Sequence, residues 1–373
     1  MPRPRFPWLL LLLALLWLAP DAPAQDRAER TRLEALVRRD SLDPDAFIEL
    51  AIFRIKTRQY AAAEEALRSA IRLDARSAPA QLAMSIVRDR DRDFWTRLRR
   101  TGGDSALSAE LRARHAYYRR AFLLDPLVDL MILNLGDPRF GHGLPLQDGY
   151  DSAWARVDAE WSQFIAVAGS ADSMPPGLLW THGLLSAHTN RLPMAVLDFT
   201  ALLRAIRILS EQYELRGLEL GTNDVRNVLA AIQARAGNTG HAVTLYREII
   251  ENDLGNYVAL VRLAQVHAVR QEWPEALRAM RSAITTNPEE PTLKIDLAEI
   301  QHRAGQSARA ESLLIEILPD LSRNPRLFFL LGNVQWALGR RVEARETMET
   351  FLTLAPSRWT AQRAEAARIL ERE

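Results

Sequence analysis

Residues 325–356 read PRLFFLLGNVQWALGRRVEARETMETFLTLAP, and the small residues Gly332 and Ala344 within that stretch return upstream at a fixed interval. Ala344 is preceded by Ala310, Ala276 and Ala242, each 34 residues apart. Twelve positions before each stands a second small residue: Gly332, Ala298, Ala264 and Ala230. Directly before those comes leucine every time, at Leu331, Leu297, Leu263 and Leu229. Four units in step at three positions imply a repeat in which each unit is a pair of antiparallel helices. Close-packed interiors leave no spare volume where two helices touch most tightly, and a bulky side chain there costs about 1–3 kcal/mol. The leucine fills the adjoining space and contributes roughly 1.5–3 kcal/mol when fully buried. Gly237, Gly305 and Gly339 are placed to end the first helix of a unit, and Pro288 and Pro356 follow the second.

These residues resemble the tetratricopeptide-repeat (TPR) family, whose 34-residue unit carries a Leu-Gly pair, an alanine twelve positions on and a closing proline. The four units begin near Asn223, Tyr257, Pro291 and Pro325, and the last is nearest the pattern with Phe328, Leu331, Gly332, Ala344, Met348 and Pro356. The family's first-helix tyrosine is replaced by Gln233, His267, Gln301 and Gln335, and its leading tryptophan by Arg226 and Lys294 in two units. The resemblance implies an all-α fold, a right-handed superhelix (solenoid) of antiparallel helix pairs with irregular insertions.

Earlier stretches follow the template less evenly. Residues 44–77 match it through Phe47, Leu50, Ala51, Tyr60, Ala63, Leu67 and Ala70, and residues 176–209 through Gly183, Ala195 and Phe199. Between them, the stretch from Ala78 reads as a unit whose hairpin is expanded by Arg88 to Ser108, with its second helix returning as Ala116 to Leu124. About seven units result. Residues 135–150 are rich in Gly and Pro and irregular, and the helix after them, near Ser152 to Val167, carries Trp154, Trp161 and Phe164. The expected layout is a signal peptide at 1–24, a TPR-like helical region at 25–126, an insertion with a helix at 127–175, and one unit at 176–209. A second insertion at 210–222, four in-register units at 223–356 and a capping helix at 357–373 complete it. That helix, Trp359 to Leu370, would cover the last unit, which has no further neighbour.

The chain opens with Arg3 and Arg5, an apolar run from Trp8 to Leu18 and small residues at Ala22, Pro23 and Ala24. Basic, then apolar, then small is the layout of a secretory signal peptide, with cleavage expected between Ala24 and Gln25. The run falls short of the roughly 20 residues that span a bilayer. The alternative is a retained N-terminal anchor. Removing residues 1–24 takes the formal charge from +1 to 0, and no later apolar stretch approaches membrane-spanning length. A neutral chain gives no reason to expect a nucleic-acid partner. Lysine occurs only at Lys56 and Lys294, which reflects the base composition of a GC-rich bacterium. With no cysteine, disulfides, thiolate catalysis and cysteine-ligated metals are excluded.

No phosphate loop, His-Glu-x-x-His, Gly-x-Ser-x-Gly or Gly-x-Gly-x-x-Gly motif is present, so no catalytic residue, cofactor or metal is expected. His182 and His188 lie six apart on one helix, about 120° from a shared face, which does not suit a joint metal site. Asp137, Arg139, His142 and Asp148 cluster in the 135–150 loop, the one place for an enzyme or small-ligand site. Arg88 to Arg100 alternates with Asp89, Asp91 and Asp93, as an ion-paired face does.

In the family, first helices line a concave groove. Projecting the 34-residue period places Asn227, Arg235, Arg262, Gln265, Glu299, His302, Arg303, Asn333 and Trp336 on it. Cations, amides and one tryptophan suit an extended protein or peptide segment, a helix, or a polysaccharide. The family's lysine-based grip on a C-terminal carboxylate is unsupported, because those places hold residues such as Val261 and Ile295. The expected role is a non-enzymatic scaffold for protein-protein interaction in the bacterial periplasm or secreted from the cell, in envelope assembly or polysaccharide secretion.

Overall fold

Small residues at the helix contacts allow the 34-residue period to pack as stacked helix pairs, and the computed structural model shows that arrangement. It describes residues 22–88, 91–125, 158–159, 162, 176–208, 212–215 and 218–371. Helix α1 (Ala22–Arg39) leads into the pairs α2 (Pro44–Lys56) with α3 (Tyr60–Leu73), α4 (Ala78–Ile86) with α5 (Arg92–Leu124), and α6 (Pro176–His188) with α7 (Leu192–Ile208). Four regular pairs follow: α8 (Thr222–Arg235) with α9 (Thr239–Asn252), α10 (Tyr257–Val269) with α11 (Trp273–Thr286), α12 (Thr292–Arg303) with α13 (Ser307–Ile317), and α14 (Pro325–Ala337) with α15 (Arg341–Leu354). Helix α16 (Thr360–Glu371) closes the array. No described helix is long and apolar enough to cross a membrane.

The repeated alanines Ala230, Ala242, Ala264, Ala276, Ala298, Ala310 and Ala344 are all completely buried. At Gly332 a Cβ would lie 2.7 Å from Met348 Cε on the partner helix, so only hydrogen fits without movement. Side-chain caps set the helix starts: the Oδ1 of Asn324 accepts from the backbone N–H of Arg326 and Leu327, and that of Asn256 from Ala259. One core cluster runs across the middle of the stack. Leu82, Tyr118 and Ala121 from α4 and α5 pack with Leu179, Trp180 and Leu184 from α6, and this cluster runs on into Val228 and Ile232 of α8.

The turn between paired helices needs one left-handed residue, and Gly237, Gly305 and Gly339 supply it at φ 81°, 79° and 76°. In the second regular unit the same place is held by Gln271 at φ 60°. A residue with a Cβ pays about 1–2 kcal/mol there, partly offset by the lower unfolded-state entropy of a non-glycine. Gln271→Gly is therefore expected to raise stability by about 0.5–1 kcal/mol, read as a higher urea midpoint. An unchanged or lower midpoint would mean that the turn carries no strain.

Two segments depart from the sequence-based layout. The expanded hairpin expected over Arg88 to Ser108 is mostly helix: α5 already starts at Arg92 and continues to Leu124 through a kink at Gly103, where φ is 65°. Asp91 caps it by accepting from the Phe94 N–H at 2.9 Å, and the Trp95 indole donates to the Arg88 carbonyl. Arg88 pairs with Glu64 of α3 at 2.6 Å and with Asp91 at 3.7 Å. In the second insertion, β1 (Gln212–Leu215) and β2 (Leu218–Gly221) form an antiparallel hairpin with Tyr213 opposite Leu220. That hairpin is the exception to an all-helical fold among the described residues. Helix α1 runs unbroken from Ala22, through the expected cleavage point, to Arg39.

At the C-terminal end, Phe351 is fully buried with its ring centre 5.1 Å from Phe329 and 6.4 Å from Trp359. Arg363 of α16 donates to the carbonyls of Leu352 and Ala355, satisfying the end of α15. Residues 357–371 thus cover the last unit as a capping helix.

Candidate functional site

Successive first helices repeat the same surface every 34 residues, so Arg262 of α10 and Asp296 of α12 are equivalent positions, as are Gln265, Glu299 and Asn333. The structure brings the central members of this set together. Arg326, at the start of α14, reaches Asp296 at 2.6 Å and Glu299 at 2.8 Å. Burial alone would lower the Arg326 pKa, and the two carboxylates reverse that and raise it above the ordinary arginine value. Asp296 is buried at 7% exposure, and a carboxylate so placed needs a paired cation such as Arg326.

The second partner of Asp296 comes from the other end of the chain. Arg76, in the turn between α3 and α4, donates to Asp296 Oδ2 at 2.7 Å. Arg120, near the end of α5, donates to Glu290 at 2.9 Å, and the other oxygen of Glu290 accepts from the Thr292 hydroxyl. Arg262 donates to the Leu124 carbonyl at 2.5 Å and to Gln265 at 3.3 Å. Beyond the last unit, the Ser357 N–H donates to Asp40, and Arg358 pairs with the buried Asp43 and lies 3.5 Å from Asp45 and Glu49. Burial pushes the Asp43 carboxyl above its ordinary pKa against the pull of Arg358, and burial likewise raises Asp74 beside Arg76.

These contacts run in opposite order along the two halves. Going from Asp43 to Arg76, Arg120 and Leu124 in the N-terminal half, the partners step back from Arg358 to Asp296, Glu290 and Arg262 in the C-terminal half. The array therefore curves so that the α10–α12–α14 face looks inward, onto turns and helix ends of its own first units.

The other expected groove residues divide. Asn227 is buried at 5% exposure, which corrects its projection onto the exposed face. Its equivalents are Val261 and Ile295, both buried, so this position points into the helix contacts. Arg235 is exposed and Asn333 half-buried. His302 faces the turn of its own unit, with Nδ1 3.0 Å from the Ser307 hydroxyl, and burial lowers its pKa. Arg303 lies over the Trp273 ring at 5.7 Å, and Arg341 covers the face of Trp336 at 4.2 Å, where an incoming group was expected to stack. Asp296, Glu290, Arg326, Arg76 and Arg120 were missed. The 34-residue equivalence of Asp296 with Arg262 was the signal available for the first of them.

His182 is buried with Nδ1 2.7 Å from Asp198 Oδ2, tying α6 to α7. Burial raises the Asp198 pKa while its hydrogen bond to His182 lowers it. Among the described residues no group of His, Asp and Glu could hold a metal ion. Asp137, Arg139, His142 and Asp148 of the 135–150 loop, with Trp154, Trp161 and Phe164 after it, lie outside the described residues.

Two tetratricopeptide-repeat family models match residues 227–291 and 270–327. No curated protein matches. Similar solved structures include a tetratricopeptide repeat protein from Parabacteroides merdae, at 13% identity over 88% of this chain and 97% of that one, with a TM-score of 0.42. A thermophilic TPR protein of Thermus thermophilus is 18% identical over 52% of this chain and 97% of that one, with a TM-score of 0.39. The C-terminal part of a TPR repeat-containing protein from Cytophaga hutchinsonii is 11% identical over 59% and 84%, with a TM-score of 0.44. Residues 227–327 thus match tetratricopeptide repeats, a class of repeat that is typically a non-enzymatic scaffold for protein-protein contacts, and stacked helix pairs continue on both sides of the matched stretch.

Proposed function

We propose that this chain is an exported scaffold of the bacterial cell envelope that binds a segment of a protein partner on the inward face of its C-terminal units, in envelope assembly or polysaccharide secretion. The observation that carries the reading is the row of charged and amide groups at equivalent positions on successive first helices: Arg262 and Gln265, then Asp296 and Glu299, then Asn333. A row spaced by one unit offers hydrogen bonds and ion pairs at regular intervals to an extended segment lying across the helices. Export is supported by the basic, apolar and small residues of the first 24 positions.

Capture from bacterial envelope extract tests the binding surface, with the chain from Gln25 onward compared with its Arg262→Ala, Glu299→Ala double variant. The expected result is a partner held by the first and lost by the second, with both giving the same helical circular dichroism. Equal capture by both would place the binding surface elsewhere. Export is tested by the first residue of the protein recovered from the periplasm, expected to be Gln25. Full-length protein recovered only from the cytoplasm would refute it.

A further inference from the structure

The inward face that would receive a partner is already occupied by the chain itself. Arg76 fills one side of Asp296, Arg120 covers Glu290, and the Leu124 carbonyl takes up Arg262. These three occupants come from a turn and a helix end, the parts of a repeat array that offer a projecting backbone and side chains. They sit between 138 and 220 residues away from the groups they meet. A second set of contacts, Ser357 to Asp40 and Arg358 to Asp43, holds the far ends of the same two halves together.

We infer that the N-terminal units are an intramolecular occupant of the inward face, so that the chain exists as a closed clasp which an arginine-bearing partner segment opens by taking over Asp296 and Glu290. This rests on the reading of that face as a partner surface. The chemistry of the competitor follows from what it replaces. Asp296 and Glu290 are both buried, at 7% and 9% side-chain exposure, and each is met by a guanidinium from the opposite half. When the arm leaves, Asp296 keeps Arg326 at 2.6 Å but Glu290 gives up the Arg120 guanidinium. A buried carboxylate parted from its cation is strongly disfavoured, so opening is favoured when another cation arrives in the same geometry. Guanidinium suits this better than ammonium because its planar fork meets a carboxylate with two parallel hydrogen bonds. The Leu124 carbonyl matches a peptide backbone, which the same segment supplies to Arg262. Binding measured on the closed chain is then weakened by the small fraction of open molecules, and loosening the clasp strengthens it.

A chain without cysteine allows labels to be placed cleanly. Spin labels at Glu65→Cys on α3 and Ser312→Cys on α13, both exposed, report the separation of the two halves by pulsed electron resonance. Nona-arginine serves as the probe segment, and its affinity is measured for the wild type and for Arg76→Ala, Arg120→Ala. The expected result is a longer label separation in the double variant, with nona-arginine binding at least about tenfold tighter than to the wild type. Adding nona-arginine to the labelled wild type should lengthen the separation too, which covers the case of a double variant that fails to fold. A separation that neither change moves would overturn the clasp and leave the partner surface to the envelope capture. An opened variant that binds nona-arginine no better than the wild type would overturn the arm as competitor. Opening with no binding by either chain would count against the partner surface itself, and against the competitor with it.

Discussion

Phe351→Ala is expected to lower stability by about 3–5 kcal/mol, the largest single effect among side chains of the C-terminal end. Phe351 is fully buried, sits between Phe329 and Trp359, and shares its cluster with Met348, Ala366 and Ile369. Removing the ring leaves a cavity at the junction of three helices, α14, α15 and α16. Stability in a repeat array is approximately a sum over units and their nearest-neighbour interfaces. The damage should therefore stay local. Amide exchange is expected to speed up through α14, α15 and α16 while α8 and α9 keep their protection. Equal acceleration in both regions would show that the array unfolds as one unit and that the nearest-neighbour picture is wrong here.

Gly183→Ala is expected to cost about 2–3 kcal/mol, whereas Gly332→Ala at the equivalent contact should cost about 1 kcal/mol or less. Both glycines are helical, so each gains about 1 kcal/mol of helix propensity from the added methyl. What differs is the surface that the methyl meets. At Gly183 it would lie 2.7 and 2.9 Å from Phe199 ring atoms and 3.1 Å from Asp198 Cβ. Phe199 is fully buried edge-to-face against Trp180, and Asp198 is bound to His182, so neither has room to retreat. At Gly332 the contacts are the Cε, Cγ and Sδ atoms of Met348, an unbranched side chain that can change rotamer. Urea unfolding of the two variants measures the difference. Equal losses would mean that the stiffness of the opposing side chain does not set the cost.

The C-terminal half was legible because its signals are periodic and local. Leu229, Leu263, Leu297 and Leu331 recur with their small neighbours, and the four turns need one left-handed residue each, three of which are glycine. The capping helix was legible from its position after Pro356 and its amphipathic pattern. Helix α5 was misread because a template of fixed length cannot accommodate an inserted helix, and its Arg-Asp run looks like a solvated surface whether or not it is helical. The hairpin at 212–221 was missed because four-residue strands are too short for alternation to stand out. Projection of the 34-residue period puts Arg262, Gln265, Glu299 and Asn333 at repeated positions, but Asn227 was misplaced although its equivalents Val261 and Ile295 are plainly apolar. The pairing of Asp296 with Arg76 had no sequence signal at all. It depends on how far the array curves, a sum of small rotations between units that no single unit records.

The opposed order of the contacts between the halves also sets the tempo of folding. Each helix pair joins residues a few tens of positions apart, and chains rich in such local contacts fold quickly. The bonds from Arg76 to Asp296 and from Ser357 to Asp40 instead join residues 220 and 317 positions apart. Bringing such distant residues together carries a large loop-closure entropy unless the intervening chain is already ordered. The units must therefore form first and meet afterwards, so refolding should show a fast phase that restores helix and a slower one that restores only the contacts between the two halves.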